Sequence, residues 1–427
     1  MKQLAFLVIL FLLGCGQFTK VETFELEKSL KTPKSTLNFC PMKRNATQIF
    51  GQNENIVKAY QDLLKKLRSK KIKLASIDKY VLYALMQMNA RPDQASPTAR
   101  HQVFFKIKGK DYYFDFYAKK KSAYPFFFGL DYLLKYFSSG HSLKALGQLL
   151  DKYQKGPILV SETFYNFLKQ NELGIKKDST LAKNYLHGGQ ILRPGESIPR
   201  PNYKFLVSKI KRGRKDTGLF KTLIKHLPGK SSQINTLKNT IYCNMDLNLY
   251  EHSLYLSQGP IGDSASFALL EKGFQALGVT SQQLNSLKSL WNTSLFKATG
   301  NPYQAKFCKI KGPKGEMVFV SSKGKDPGQH LFHFLNSNVQ YSSSFKDIDN
   351  FISSPRHLYL VNPLRIIYES KRGSKKRLDD FLNSGIPIYY SSSLGLIWGW
   401  GKFDGLNSLI KDPRNESFIN CPKTAQQ

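Results

Sequence analysis

The chain has 427 residues, 41% apolar and 13% aromatic, with 64 Lys+Arg against 30 Asp+Glu and a formal net charge of +34. That apolar and aromatic content excludes a disordered polypeptide, and the length suits two domains of ordinary size. Only 13 of the 64 cations are Arg. Nucleic-acid recognition favours Arg's planar fork, so the lysine excess argues against a nucleic-acid partner. It fits diffuse attraction to anionic phospholipid or glycan, or simply a solvated basic surface.

The first segment is an export pattern. Lys2 precedes an apolar run from Leu4 to Leu13, the length of a signal-peptide core and well short of the roughly 20 residues that span a bilayer. Leu12-Leu13-Gly14-Cys15 then resembles the lipobox of bacterial lipoprotein precursors. The resemblance covers sixteen residues. It implies a signal peptide over 1–14, a lipid on Cys15 and a lipidated tether over 15–39. Multiple acylation makes such an anchor stable. Gly16, where an Asp would retain a lipoprotein at the inner membrane, implies the outer membrane of a Gram-negative bacterium. The alternative is conventional cleavage near Gly14 or Gly16 and secretion.

Two mixed helix/strand units are expected to follow, over 40–195 and 203–427, in an α/β or α+β architecture. In the first, apolar residues at Ile56, Val57, Tyr60, Leu63, Leu64 and Leu67 predict a helix within 53–73. A second helix spans 76–88. A hairpin over 103–107 and 112–117 turns at Lys-Gly-Lys-Asp. Helices over 126–137 and 143–153, a strand at 157–160 and a helix at 162–170 complete the unit. The three prolines and the glycine between Leu192 and Tyr203 mark the boundary.

In the second unit a helix is expected at 219–227, a strand at 239–247, helices at 265–277 and 282–295, strands at 305–310 and 317–321, and a helix near 330–335. The C-terminal part carries a strand–helix–strand rhythm, "RHLYLVNP", "KKRLDDFLNSG" and "IPIYYSS", as in a parallel βαβ unit. It is loosely similar to units of periplasmic substrate-binding proteins, which would place a solute cleft between the halves.

Apart from Cys15, the cysteines are Cys40, Cys243, Cys308 and Cys421, an even set without CxxC spacing. That suits two disulfides in an exported chain rather than a zinc site. Cys40 and Cys421 sit just inside the two ends of the mature body, and domain termini often lie close in space. Cys243 and Cys308 lie in strand-like stretches. The expected pairs are therefore Cys40–Cys421 and Cys243–Cys308.

Chemistry is sparse. "GDSAS", Gly262 to Ser266, resembles the first block of the GDS-type hydrolases, which implies Ser264 as nucleophile. Neither the later Gly-x-Asn-Asp block nor a late Asp-x-x-His follows. The plainer reading is that Asp263 or Ser264 caps a helix starting at Ala265. His330 and His333 share a helical face without an acidic third ligand, so no metal or cofactor is implied. Trp398 and Trp400 fall on one side of a strand and suit either a core or an exposed sugar or membrane contact. Lys209, Lys211, Arg212, Arg214 and Lys215 form the densest arginine-containing cluster, the first choice for an anion contact. The leading expectation is a lipid-anchored envelope protein that binds anionic partners. The alternatives are a solute-binding protein and a hydrolase using Ser264.

Overall fold

The computed structural model describes residues 38–41, 47–119, 124–208, 217–222, 240–245, 247, 250, 263–282, 304–312, 314–324, 326–337, 339, 342–360, 363–369, 372, 375–391, 393–414 and 417–421. Among these are 11 helices and 19 strands. The chain opens with β1 (Gln48–Gly51), α1 (Glu54–Ser69), α2 (Ser76–Ala90), β2 (Arg100–Ile107), β3 (Lys110–Ala118), α3 (Pro125–Tyr136) and α4 (Leu143–Tyr153). Short elements follow: β4 (Ile158–Leu159), α5 (Glu162–Gln170), α6 (Glu172–Lys177), α7 (Ser179–Tyr185), β5 (Leu186–His187), β6 (Gln190–Ile191), β7 (Ser197–Ile198) and α8 (Tyr203–Ser208). Then come β8 (Thr217–Thr222), β9 (Thr240–Cys243), β10 (Asp263–Glu271), β11 (Phe274–Gln282), β12 (Lys306–Lys311), β13 (Gly315–Ser322), α9 (Pro327–Asn336) and α10 (Phe345–Ser353). The last are β14 (His357–Leu360), β15 (Arg365–Tyr368), α11 (Lys375–Asn383), β16 (Ile388–Tyr390), β17 (Leu396–Phe403), β18 (Leu406–Ile410) and β19 (Phe418–Ile419).

Two antiparallel sheets form the centre. One has the order β19-β1-β10-β11-β2-β3-β8, the other β18-β17-β13-β12-β9. Three apolar layers result. Helices α1 to α5 cover the outer face of the seven-stranded sheet through residues such as Tyr60, Tyr83, Leu130, Leu146 and Phe164. Phe50, Phe104, Leu277, Val320, Trp398 and Trp400 fill the space between the sheets. Helices α9 and α10 close the other side through Leu331, Leu335 and Ile348. The order is helix, sheet, sheet, helix. The mixed helix/strand class is as the sequence predicts.

This sandwich corrects several elements. The segment Ala265–Leu277 is not a helix but most of the β10–β11 hairpin, with Glu271 opposite Phe274. Its apolar residues are continuous because both faces are buried: Ala265, Phe267 and Leu269 meet the helices, whereas Ala268 and Leu270 meet the second sheet. Such a run carries no period with which to tell strand from helix. Asp263 and Ser264 therefore cap no helix. The expected helix at 219–227 begins as strand β8, an edge strand paired with β3. Residues 283–303, which hold nearly all of the helix expected at 282–295, lie outside the described residues, and Gln282 ends β11.

The seven-stranded sheet takes β1, β2 and β3 from before the proline-rich segment and β8, β10, β11 and β19 from after it. The C-terminal βαβ unit exists only as β15–α11–β16, a parallel pair in a three-stranded sheet with β14. Its middle strand, "RIIY", went unpredicted.

Turn chemistry sets the hairpins. Lys108-Gly109 and Asp404-Gly405 take positive φ at both residues (48° and 80°; 49° and 77°), as a two-residue turn between twisted antiparallel strands requires. Trp398 and Trp400 are buried in the inter-sheet core, and Trp398 stacks on Phe50 of the other sheet at 4.6 Å. Disulfides link Cys40 to Cys421 and Cys243 to Cys308, the latter directly opposite each other on β9 and β12. None of the helices among the described residues is long and apolar enough to cross a membrane.

Candidate active site

The inter-sheet layer is apolar for most of its length and polar at one end. That end gathers the starts of β10, β2, β12 and β17 and the ends of β11 and β13. Alternation along β10 puts Ser264 and Ser266 on the same face as Ala268 and Leu270, toward the second sheet. The cross-sheet bond Ser266 Oγ···Ser322 Oγ, 3.1 Å, fixes that orientation. Ser264 stands opposite Ser281 of β11, and Ser281 stands opposite Arg100 of β2. Ser264, Ser266, Ser281 and Ser322 are all buried.

A charged frame borders these hydroxyls. Arg100 holds Asp115 in a two-pronged contact, with Nε donating to Oδ1 at 2.8 Å and a second guanidinium nitrogen donating to Oδ2. Burial disfavours the Arg100 cation, but Asp115 outweighs it and raises the pKa. Gln304 Nε2 also donates to Asp115, at 3.3 Å. Gln102 ties the two sheets, donating to the Ala305 carbonyl (3.1 Å) and accepting from the Ala305 amide (2.8 Å). Lys306, opposite Ser321, donates to Gln304 Oε1 at 3.1 Å. Burial, and then the nearby Arg100, push its pKa below the usual lysine value, although Asp326 and Asp115 pull the other way.

The second sheet's contribution is held by a buried ionic knot. Glu369 takes bonds from Arg414 Nε (2.8 Å), from the Leu394 amide (2.6 Å) and from the Arg356 amide (3.0 Å). Asp412 pairs with Arg356 at 2.7 Å and accepts from the Ile397 amide at 2.7 Å. These contacts pin the start of β17, where Leu396 lies opposite Ser322. Burial, and then Arg414, lower the Arg356 pKa to about 10 against the pull of Asp412 and Glu369. Gly395 has φ +61° and lies against His330, where a Cβ would come within 2.8 Å of the imidazole Cδ2. Burial first, then Arg356 and His333, lower the His330 pKa to about 3, so the ring is neutral.

Among the described residues no group of three His, Cys, Asp or Glu is arranged to hold a metal ion. His333 lies against His357, ring centroids 4.1 Å apart. Cys15 and the cluster Lys209, Lys211, Arg212, Arg214 and Lys215 lie outside the described residues. Of the residues singled out by sequence, Ser264 falls in the polar end, and His330 lies against Gly395 beside it. Arg100, Asp115, Ser281, Lys306 and Ser322 carry no local motif, and their meeting with Ser264 depends on register across six strands.

No protein-family model matches the chain, and no curated protein matches it. Solved structures do. LmbA2991HD superposes with a TM-score of 0.66 at 10% identity, over 92% of this chain and 100% of that one. Cephalosporin acylase from Bacillus halodurans superposes with a TM-score of 0.63 at 10% identity, over 93% of this chain and 99% of that one. The chain shares its fold with an acylase. A partial superposition on the gamma-glutamyltranspeptidase of Helicobacter pylori, over 37% of this chain with a TM-score of 0.29, carries no argument.

Proposed function

We propose that the protein is a hydrolase of the acylase type, which cleaves an acyl–nitrogen bond with Ser264 as nucleophile. The observation that carries this is the position of Ser264: at the start of β10, facing the polar end of the sheet pair, in a fold shared with an acylase. The serine oxygen attacks the substrate carbonyl and forms an acyl-enzyme. The amine leaves with a proton, and water then releases the acid. Serine needs a base. The α-amino group of Ser264 itself fills that role once the Asp263–Ser264 bond is cut, the arrangement of nucleophiles that begin a chain. A second reading uses Lys306, at the start of β12 beside the same polar end, as the base.

The hydrolase reading displaces that of a purely binding envelope protein, since the shared fold is that of an enzyme. It is also preferred to the solute-binding reading, because strands from both halves share one sheet. The disulfides are compatible with an exported chain. Lipid attachment at Cys15 and an outer-membrane address remain part of the proposal, tested by mass spectrometry of the mature N-terminus.

The deciding experiment is turnover of an N-acyl amide panel by the purified chain, with intact-mass analysis. Turnover by the native protein that is lost in Ser264→Ala and kept in part in Ser264→Thr supports the reading. Two chains separated before Ser264 select the α-amine as base, whereas one chain selects Lys306. Equal turnover in Ser264→Ala refutes it.

A further inference from the structure

The other end of β10 carries a separate cavity of about 610 Å³, well inside the usual range for small-ligand sites. Seven residue steps of a strand separate Ser264 from Glu271, roughly 24 Å, so the two sites are distinct. The cavity lies on the helical side of the seven-stranded sheet. Ile49, Leu64, Leu67, Ile72 and Leu74 give it an apolar wall, and Lys65, Arg68, Lys71, Lys73 and Lys79 surround it with cations. Its one carboxylate, Glu271, is already taken by Lys79 (2.8 Å) and by the Ser76 hydroxyl (2.8 Å). Lys65 pairs with Asp62. Among the described residues Arg68, Lys71 and Lys73 have no carboxylate partner.

The backbone supports the same reading. Helix α1 ends with the Ile72 amide bonded to the Leu67 carbonyl (3.0 Å) and the Lys71 amide to the Arg68 carbonyl (2.9 Å). That closing turn demands a left-handed residue, usually glycine. Here the residue is Lys71, with φ +56°. A strained lysine where glycine is the easy choice, on the wall of a cavity, is the kind of cost that structures keep at ligand sites.

We propose that this cavity binds a single-chain anionic amphiphile, an acyl chain ending in a carboxylate or phosphate. Leu64, Ile72 and Leu74 take up the chain, and Arg68, Lys71 and Lys73 hold the head. The inference does not depend on the chemistry at Ser264.

Calorimetric titration of the full chain with monomeric dodecyl phosphate tests it, beside inorganic phosphate and vesicles of phosphatidylglycerol. Dodecyl phosphate should bind at least 100-fold more tightly than phosphate. Arg68→Glu/Lys71→Glu/Lys73→Glu should weaken it at least tenfold, with an unchanged circular dichroism spectrum and unchanged amide turnover. Lys71→Gly should raise the melting temperature while weakening binding, which separates a ligand contact from a merely structural residue. Equal affinity for inorganic phosphate, an unaffected triple variant, or binding to vesicles without binding to the monomer would each overturn the proposal.

Discussion

Strand β10 runs between two unlike regions. At its start, hydroxyls and an arginine–aspartate pair are enclosed between two sheets. At its end, lysines and an arginine ring an open cavity on the opposite face of the same sheet. In the first region Arg100 is matched with Asp115, Gln102 with the Ala305 backbone and Ser266 with Ser322, as low-dielectric surroundings favour. In the second, Arg68, Lys71 and Lys73 are exposed and have no carboxylate partner among the described residues, which costs little in water and leaves them available to an anion. A net charge of +34 therefore says nothing about the enclosed end, where Arg100 is spoken for, and a good deal about the open one.

The sharpest way to break this contrast is at Ser264. Ser264→Ala should lower amide turnover by about 10⁴-fold or more, on the scale seen when a nucleophile is removed. It should leave dodecyl phosphate binding unchanged, as measured by steady-state kinetics and calorimetry on one preparation.

The next effects are on stability. Glu369→Gln removes one of the two buried carboxylates paired with Arg414, the other being Asp412, and should cost about 3–5 kcal/mol in urea unfolding. It should also impair turnover, because the start of β17 loosens. Trp398→Ala removes a ring stacked on Phe50 and should cost about 3–5 kcal/mol by the same measurement. Arg68→Glu at the open end should stay within about 0.5 kcal/mol.

A further effect is titrational. Burial lowers both His101 and His330 to about 3. The folded state therefore holds fewer protons than the unfolded one between about pH 6.5 and pH 3. Their contribution to stability is complete above pH 6.5 and declines as pH falls through that window, by about 1.4 kcal/mol per unit for each ring. His330→Asn should flatten the slope measured from pH 6 to pH 4; an unchanged slope would mean that the ring is not buried neutral.

Much of the first half was legible because its helices show one apolar face: Ile56, Val57, Tyr60, Leu63 and Leu67 are the buried residues of α1. The Lys108-Gly109 hairpin was legible through its turn. The β10–β11 hairpin was not, since burial on both faces erases the alternation that marks a strand, and a serine before an apolar run looks like a helix cap. At the candidate site only Ser264 could be noticed, and then through a resemblance to a different hydrolase pattern.

By itself the sequence determined the four cysteines beyond Cys15, the amphipathic helices and the lysine excess, all matters of local order or composition. Tertiary structure alone decided that the two halves share one sheet, that two sheets stack between helices, and that Arg100, Asp115, Ser264, Ser281, Lys306 and Ser322 meet at one end. Those outcomes rest on strand order and register between residues up to hundreds of positions apart, and no local pattern encodes them.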